Sequence, residues 1–120
     1  VILETGEIAD PAKIRAAADM ALAAQADFVK TSTGKVAVNA TPEAVRLLLE
    51  AVRDRRRPAG VKAAGGIRTV AEAAIHLDLA DRIMGPGWVS PDTFRFGASG
   101  LLGDVLATLD GAVPAASAGY

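Results

Sequence analysis

The sequence alternates short apolar runs with longer amphipathic segments, and this alternation restricts the fold more than any other feature. Apolar runs cover 1–6, 26–33 and 59–66, and the segments after them, 10–25, 41–56 and 69–80, have the pattern of helices. A fourth unit is indicated by the runs 81–85 and 94–100 and the apolar segment 101–109, although the pattern does not place its strand more finely. Repeated strand–helix units predict a parallel sheet covered by helices.

The predicted helices begin at recognisable capping residues. Asp10 and Thr41 each stand immediately before a proline, which favours the first position of a helix. Thr69 and Glu72 have the spacing of a capping box. Two architectures fit these units: a doubly wound sheet, or half of a (β/α)8 barrel, which needs ~250 residues in all. In both, reactive side chains gather at the carboxyl ends of the strands.

Charge and composition exclude several classes of protein. The 13 basic and 14 acidic residues leave a net charge of -1, without the basic excess of a nucleic-acid surface. We interpret the basic run 53–57 as a solvated helix end. There is no cysteine for disulfide or thiolate chemistry, and no apolar run approaches the ~20 residues that span a membrane. We expect a cytoplasmic protein, and, because the chain opens without Met inside an apolar run, a fragment of a longer one.

Two lysines are predicted at the ends of consecutive strands. Lys30 and Lys62 close the second and third apolar runs, and neighbouring parallel strands lie ~4.8 Å apart. Two ammonium groups held close in a dry pocket disfavour each other's charge, which frees one amine to attack a carbonyl and form a Schiff base. Alternatively, both lysines point outward or pair with acids such as Glu4. Glu4 itself is either an acid of the site or a structural partner of one lysine.

Glycine-rich turns follow the predicted strands at 32–35, 64–69 and 96–100. Glycines let backbone N–H groups approach an anion closely, and Lys35 and Arg68 add positive charge. Three such turns beside two lysines indicate a phosphorylated carbonyl substrate. The single histidine, His76, fits a surface or helix-face position better than a base or a ligand, and without cysteine a zinc site is not expected.

Four stretches together resemble the deoxyribose-phosphate aldolase family: "ETGE", "ADFVKTSTGKVAVNATPE", "VKAAGGIRT" and "FRFGASGLL". The resemblance implies a class I aldolase with a (β/α)8 barrel, of which residues 1–120 are the C-terminal half and the N-terminal half is absent. It also implies reversible cleavage of 2-deoxy-D-ribose 5-phosphate to D-glyceraldehyde 3-phosphate and acetaldehyde, without a metal or organic cofactor. Alternatives are another Schiff-base aldolase, similar to transaldolase, and a non-catalytic half-barrel that binds phosphate.

The resemblance assigns roles to individual residues. The Schiff-base lysine corresponds to Lys30, and the lysine that tunes its protonation and relays protons corresponds to Lys62. A tyrosine of the family's C-terminal tail corresponds to Tyr120. The phosphate site corresponds to Gly34, Lys35, Gly65, Gly66, Arg68 and Ser99.

Three departures from the family pattern bear on this assignment. Gly100 stands where the family usually has a second serine, and Ala63 stands where a proline is common. The first half of the barrel, with the aspartate used in proton relay, is missing. We therefore expect the chain alone to be nearly inactive, and to associate with itself or with the missing half, because open sheet edges invite pairing.

Overall fold

A computed structural model describes residues 1–111 of the chain, which form an α/β fold with one parallel sheet. The elements follow one another as α1 (Thr5–Ile8), α2 (Pro11–Ala23), β1 (Phe28–Lys30), α3 (Pro42–Asp54), β2 (Gly60–Ala64), α4 (Val70–Met84), β3 (Phe94–Gly97) and α5 (Gly100–Leu109).

The sheet has the strand order β1-β2-β3, and both strand pairs are parallel. Residues 1–3 extend along the free edge of β1, where Ile2 forms an isolated parallel bridge with Lys30. The Leu3 N–H donates to the Lys30 carbonyl at 2.9 Å, and the Lys30 N–H donates to the Val1 carbonyl at 2.8 Å. The parallel sheet predicted from the sequence is therefore confirmed, although the first predicted strand is reduced to this bridge.

The predicted capping residues begin the helices. The Asp10 carboxylate accepts hydrogen bonds from two backbone N–H groups of the first turn of α2. The Thr41 hydroxyl accepts from the Ala44 N–H at 3.1 Å at the start of α3. Both bonds of the capping box between Thr69 and Glu72 are present at the start of α4. Each cap satisfies backbone donors that have no partner within the helix, and so fixes where the helix begins.

The two faces of the sheet differ in what covers them. Alternate residues of a strand point to opposite faces, and the set Val29, Val61, Ala63 and Phe94 packs under the helices, at most 5% exposed. The opposite face carries Phe28, Lys30, Lys62 and Arg95, none of which is fully buried. Within residues 1–111 the helices thus cover one face of the sheet, and the face with both lysines is open.

Several sequence-based expectations need correction. The run 81–85 is not a strand: α4 continues to Met84, and the strand of the fourth unit is β3. Helix α3 ends at Asp54, so only the first arginine of the basic run lies in its last turn and the others follow the helix. His76 does not lie on the surface; it is buried against Phe96 of β3.

Among residues 1–111, none of the helices combines the length and the apolar character that a membrane-spanning helix needs.

Candidate active site

Lys30 and Lys62 are direct neighbours across the sheet. Their Cα atoms are register partners at the ends of β1 and β2, and both side chains are half-buried on the open face. Neither lysine takes part in any of the ion pairs formed within residues 1–111. The alternative in which Glu4 pairs with one of them is wrong, because its carboxylate instead accepts from the Thr33 N–H at 3.0 Å and the Thr33 hydroxyl at 2.7 Å.

A third cation lies in register with the two lysines, on the next strand, and was not identified from the sequence. Arg95 of β3 is the register partner of Lys62. Its guanidinium carbon lies 4.3 Å from the centroid of the Phe28 ring, and its Nε donates to the Pro91 carbonyl at 2.9 Å. The ring occupies space left by Gly60, where a Cβ atom would stand 2.4 Å from a ring carbon. Arg95 is thus held by Phe28 and Pro91 rather than beside the lysines.

A cleft of about 340 Å³ lies next to the ends of β1 and β2. Gly34, Gly65, Gly66 and Arg68 line it, which are four of the six residues predicted to bind phosphate. Gly65 and Gly66 have φ angles of 91° and 80°, which side chains other than glycine rarely adopt. Gly66 is exposed at the wall of the cleft, where its N–H can approach an anion, whereas Gly65 is buried beside it.

The remaining predicted residues stand around this cleft without lining it. Lys35 is exposed in the same loop as Gly34, and its backbone N–H donates to the Thr33 hydroxyl at 3.2 Å. Ser99 is the N-cap residue of α5. The turn before Ser99 is tied to the cleft because the Gly65 N–H donates to the Gly97 carbonyl at 3.3 Å. Tyr120 lies outside the described residues.

The backbone after Gly66 is fixed by two carboxylates. One oxygen of Glu72 accepts from the N–H groups of Arg68 at 2.7 Å and Thr69 at 3.1 Å, and these bonds lower the pKa of Glu72. The buried Asp104, on α5, accepts from the Val70 N–H at 2.7 Å. The capping-box spacing identified Glu72 in advance, whereas the role of Asp104 depends on how α5 packs against α4 and has no local sequence signal.

The ends of the two lysine-bearing strands are joined by a buried threonine. The Thr31 hydroxyl donates to the Ala64 carbonyl at 3.2 Å and accepts from the Ala64 N–H at 3.0 Å. Both residues are 0% exposed. The side chain therefore continues the hydrogen-bond ladder by one step beyond Lys30, which holds the carboxyl ends of β1 and β2 together at the site.

Comparison with known proteins identifies the family. The profile of the DeoC/LacD family aldolases matches residues 3–102. The chain belongs to this aldolase family. It is 59% identical over 121 residues to the deoxyribose-phosphate aldolase of Agrobacterium fabrum, a match that covers 100% of this chain and 47% of that protein. The chain thus spans about half the length of this curated relative.

Solved structures agree with the family assignment. The apo form of a protein assigned as a deoxyribose-phosphate aldolase in Toxoplasma gondii ME49 superimposes with a TM-score of 0.76 at 32% identity, over 85% of this chain and 41% of that one. A protein of the same assignment from Coccidioides immitis gives a TM-score of 0.75 at 31% identity, over 91% and 38%. The two lysines and the glycine cleft of this family member therefore lie within a fold that solved relatives share.

Two further observations concern possible metal ligands and the single histidine. Within residues 1–111, no three His, Asp or Glu side chains are grouped so that they could hold a metal ion. His76 is buried, and burial lowers its pKa because desolvation disfavours the imidazolium form. Its ring makes an edge contact with Phe96, at 6.4 Å between centroids, on the face of the sheet opposite the lysines.

Proposed function

We propose that this chain is the C-terminal half of a deoxyribose-phosphate aldolase that cleaves 2-deoxy-D-ribose 5-phosphate through a Schiff base. The observation that carries the proposal is the register pairing of Lys30 with Lys62 beside the glycine-lined cleft. An amine and an anion site at neighbouring strand ends suit a substrate with a carbonyl at one end and a phosphate at the other. The sequence relative of the same enzyme class supports the choice of substrate.

Lys30 is the nucleophile in this proposal. Its neutral amine adds to the C1 aldehyde of the open-chain sugar, and loss of water gives a protonated imine. The 3-hydroxyl proton then leaves, the C2–C3 bond breaks, and its electron pair enters the enamine while glyceraldehyde 3-phosphate departs. Protonation of C2 and addition of water release acetaldehyde and the free lysine. Lys62, the register partner of Lys30 one strand away, can relay protons in these steps.

The cleft holds the phosphate in this proposal. Backbone N–H groups around Gly34 and Gly66 approach the anion, Gly65 lines the cleft beside them, and Arg68 and Lys35 supply positive charge. Ser99 adds its hydroxyl at the start of α5, where the helix dipole favours negative charge. Because Gly100 replaces the second serine of the family pattern, Ser99 supplies the only side-chain hydroxyl at this turn.

The open face of the sheet supports the half-barrel arrangement. In a closed barrel this face points inward and the free edge of β3 pairs with another strand. Helix α5 also exposes Leu102, Leu106 and Leu109, between 53% and 77%, at spacings that place them on one side of the helix. We propose that these surfaces pack against the other half of the barrel or against a second copy of this chain. The cytoplasmic location expected from the sequence stays a prediction.

Trapping with borohydride tests the nucleophile. The full-length protein, with both halves of the proposed barrel, is incubated with acetaldehyde and sodium borohydride, which reduces any imine to a stable secondary amine. The labelled residue is then located by peptide mass spectrometry. We expect the label on Lys30, its loss in Lys30→Arg, and normal labelling in Lys35→Arg, which removes a neighbouring exposed amine. Lys62→Arg keeps the charge beside Lys30 and should preserve labelling better than Lys62→Leu. A label on Lys62 or Lys35 with Lys30 unmodified would contradict the assignment.

Activity assays on the same full-length protein distinguish a deoxyribose-phosphate aldolase from the alternative functions. A deoxyribose-phosphate aldolase releases acetaldehyde from 2-deoxy-D-ribose 5-phosphate, whereas a transaldolase-like enzyme transfers a larger ketose fragment between sugar phosphates. Labelling of Lys30 without acetaldehyde release from the deoxy sugar would favour the second enzyme. A protein that binds phosphate and forms no imine with either substrate class would be a non-catalytic barrel.

A further inference from the structure

Glu4 has an unusual backbone conformation for a residue with a long side chain. Its φ and ψ angles are 56° and 58°, in the left-handed region that non-glycine residues rarely occupy. It stands where the extended residues 1–3 turn into α1, and the next residue is anchored to β1 by a 2.9 Å bond from the Thr5 N–H to the Thr31 carbonyl. Strained residues of this kind persist where the surroundings fix them, and they are concentrated at functional sites.

The side chain of Glu4 spans from this turn to the loop after β1. One carboxylate oxygen accepts from the Thr33 N–H at 3.0 Å and the other accepts from the Thr33 hydroxyl at 2.7 Å. The Thr33 hydroxyl, having donated its hydrogen to Glu4, accepts from the Lys35 N–H at 3.2 Å. A continuous path of hydrogen bonds therefore runs from Glu4 through Thr33 to Lys35. It encloses Gly34, the one residue of this loop's glycine turn that lines the cleft.

We infer that Glu4 is a positioning residue for the phosphate end of the substrate, acting through Thr33 on Gly34 and Lys35; this inference rests on the proposed function. Neither Glu4 nor Thr33 lines the cleft, so Glu4 acts on the ligand through the loop. Lys30 lies on the other side of Thr31 and keeps its own ladder bonds to residues 1–3 and to β2. Loss of the carboxylate should therefore release the anion-binding part of the loop and leave the nucleophile in its strand.

The alternative role for Glu4 is that of a proton-transferring acid. Both of its oxygens are engaged by Thr33, and one of the bonds is a short charge-assisted O–H···O contact. A proton-transferring acid would titrate during turnover, so that its removal would abolish one limb of the pH–rate profile. A positioning residue would leave the shape of that profile unchanged and would raise KM more than it lowers kcat.

The test uses the full-length protein with Glu4→Ala, Glu4→Gly and Glu4→Gln. Binding of inorganic phosphate is measured by calorimetry, and KM and kcat are measured with 2-deoxy-D-ribose 5-phosphate and with unphosphorylated 2-deoxy-D-ribose. Loss of the charge-assisted bonds should weaken phosphate binding about tenfold in the alanine and glycine variants. Glu4→Gly relieves the strain of the left-handed backbone, so it should be more stable than Glu4→Ala. Both variants should lose phosphate affinity to the same extent. Glu4→Gln keeps one acceptor and should fall between these variants and the unmodified protein.

Four further variants separate positioning from general effects of charge. Glu7→Gln removes a negative charge from the same short helix, at an exposed residue, and should leave phosphate binding within twofold. Thr33→Val removes the hydroxyl and should weaken phosphate binding, whereas Thr33→Ser should restore it. The double variant Glu4→Ala/Thr33→Val should lose no more than the worse single variant, because the two side chains act as one unit.

Three outcomes decide the matter. Unchanged phosphate affinity in Glu4→Ala overturns the inference. A lost limb of the pH profile, equal for both sugars, would make Glu4 a catalytic acid and overturn it as well. If the unmodified protein binds phosphate but forms no imine at Lys30, the proposed aldolase activity is wrong, while weaker phosphate binding in Glu4→Ala still supports the positioning role.

Discussion

Replacing Thr31 by valine should destabilise the protein strongly, because the threonine hydroxyl acts as a rung of the sheet. Valine has nearly the same shape, so the substitution removes the hydroxyl without opening a large cavity. It leaves the Ala64 N–H and carbonyl without their partner, and both residues are 0% exposed. An unsatisfied buried backbone group costs about 1–3 kcal/mol. With partial relaxation, we expect the free energy of unfolding to fall by about 2–4 kcal/mol.

Equilibrium urea unfolding of the full-length protein, followed by circular dichroism, measures this loss. Thr31→Ser is the matched control, because it keeps both hydrogen bonds and loses one methyl group, worth about 1 kcal/mol. The valine variant should therefore be clearly less stable than the serine variant, which is slightly less stable than the unmodified protein. A loss below about 1 kcal/mol for Thr31→Val, or equal losses for valine and serine, would refute the assignment of the hydroxyl to the ladder.

Three further predictions concern the cleft, the buried histidine and the open sheet. Arg68→Ala should raise KM about tenfold or more for the phosphorylated sugar and less than twofold for unphosphorylated deoxyribose; equal losses would make Arg68 structural. Burial lowers the pKa of His76, so its contribution to stability is present above about pH 6.5 and is lost as the pH falls through the folded-state pKa. In urea unfolding measured across pH, His76→Leu should reduce this loss of stability at low pH. The same pH dependence in the variant and in the wild-type protein would contradict the prediction. Residues 1–120 alone should sediment as an oligomer at micromolar concentration and recover turnover when the first half of the barrel is added, whereas a compact, fully active monomer would disprove the half-barrel proposal.

Local sequence chemistry predicted most of the secondary structure. The caps at Asp10, Thr41 and Thr69 placed three helix starts correctly, because each satisfies backbone donors within a few residues of itself. The end of α4 was harder to predict, since the apolar pattern of 81–84 fits either a strand or another helical turn. The short helix α1 carries no periodic signal, because it depends on contacts of Glu4 and Thr5 with the loop after β1.

The site was predictable to the extent that strand ends and glycine turns determine it. The pairing of Lys30 with Lys62 followed from two consecutive units, and the shared cleft of Gly34, Gly65 and Gly66 followed from turns at the same edge of the sheet. The residues that support the site could not be predicted from the sequence. Thr31 continues the ladder only in this register, and Asp104 reaches Val70 only because α5 packs beside α4. Such roles are set by tertiary packing, which spacing along the chain does not encode.

The absent side chain of Gly60 determines where a positive charge is placed. The Phe28 ring fills that space and lies 4.3 Å from the guanidinium carbon of Arg95. The guanidinium therefore lies toward the amino ends of the strands, although the Cα atom of Arg95 is the register partner of Lys62. A methyl group at residue 60 would collide with this ring and would also stand 2.7 Å from the backbone carbonyl of Thr93, so only glycine lets the ring and β3 pack as they do. An uncharged residue two positions before Lys62 thus determines where the cation of the neighbouring strand lies.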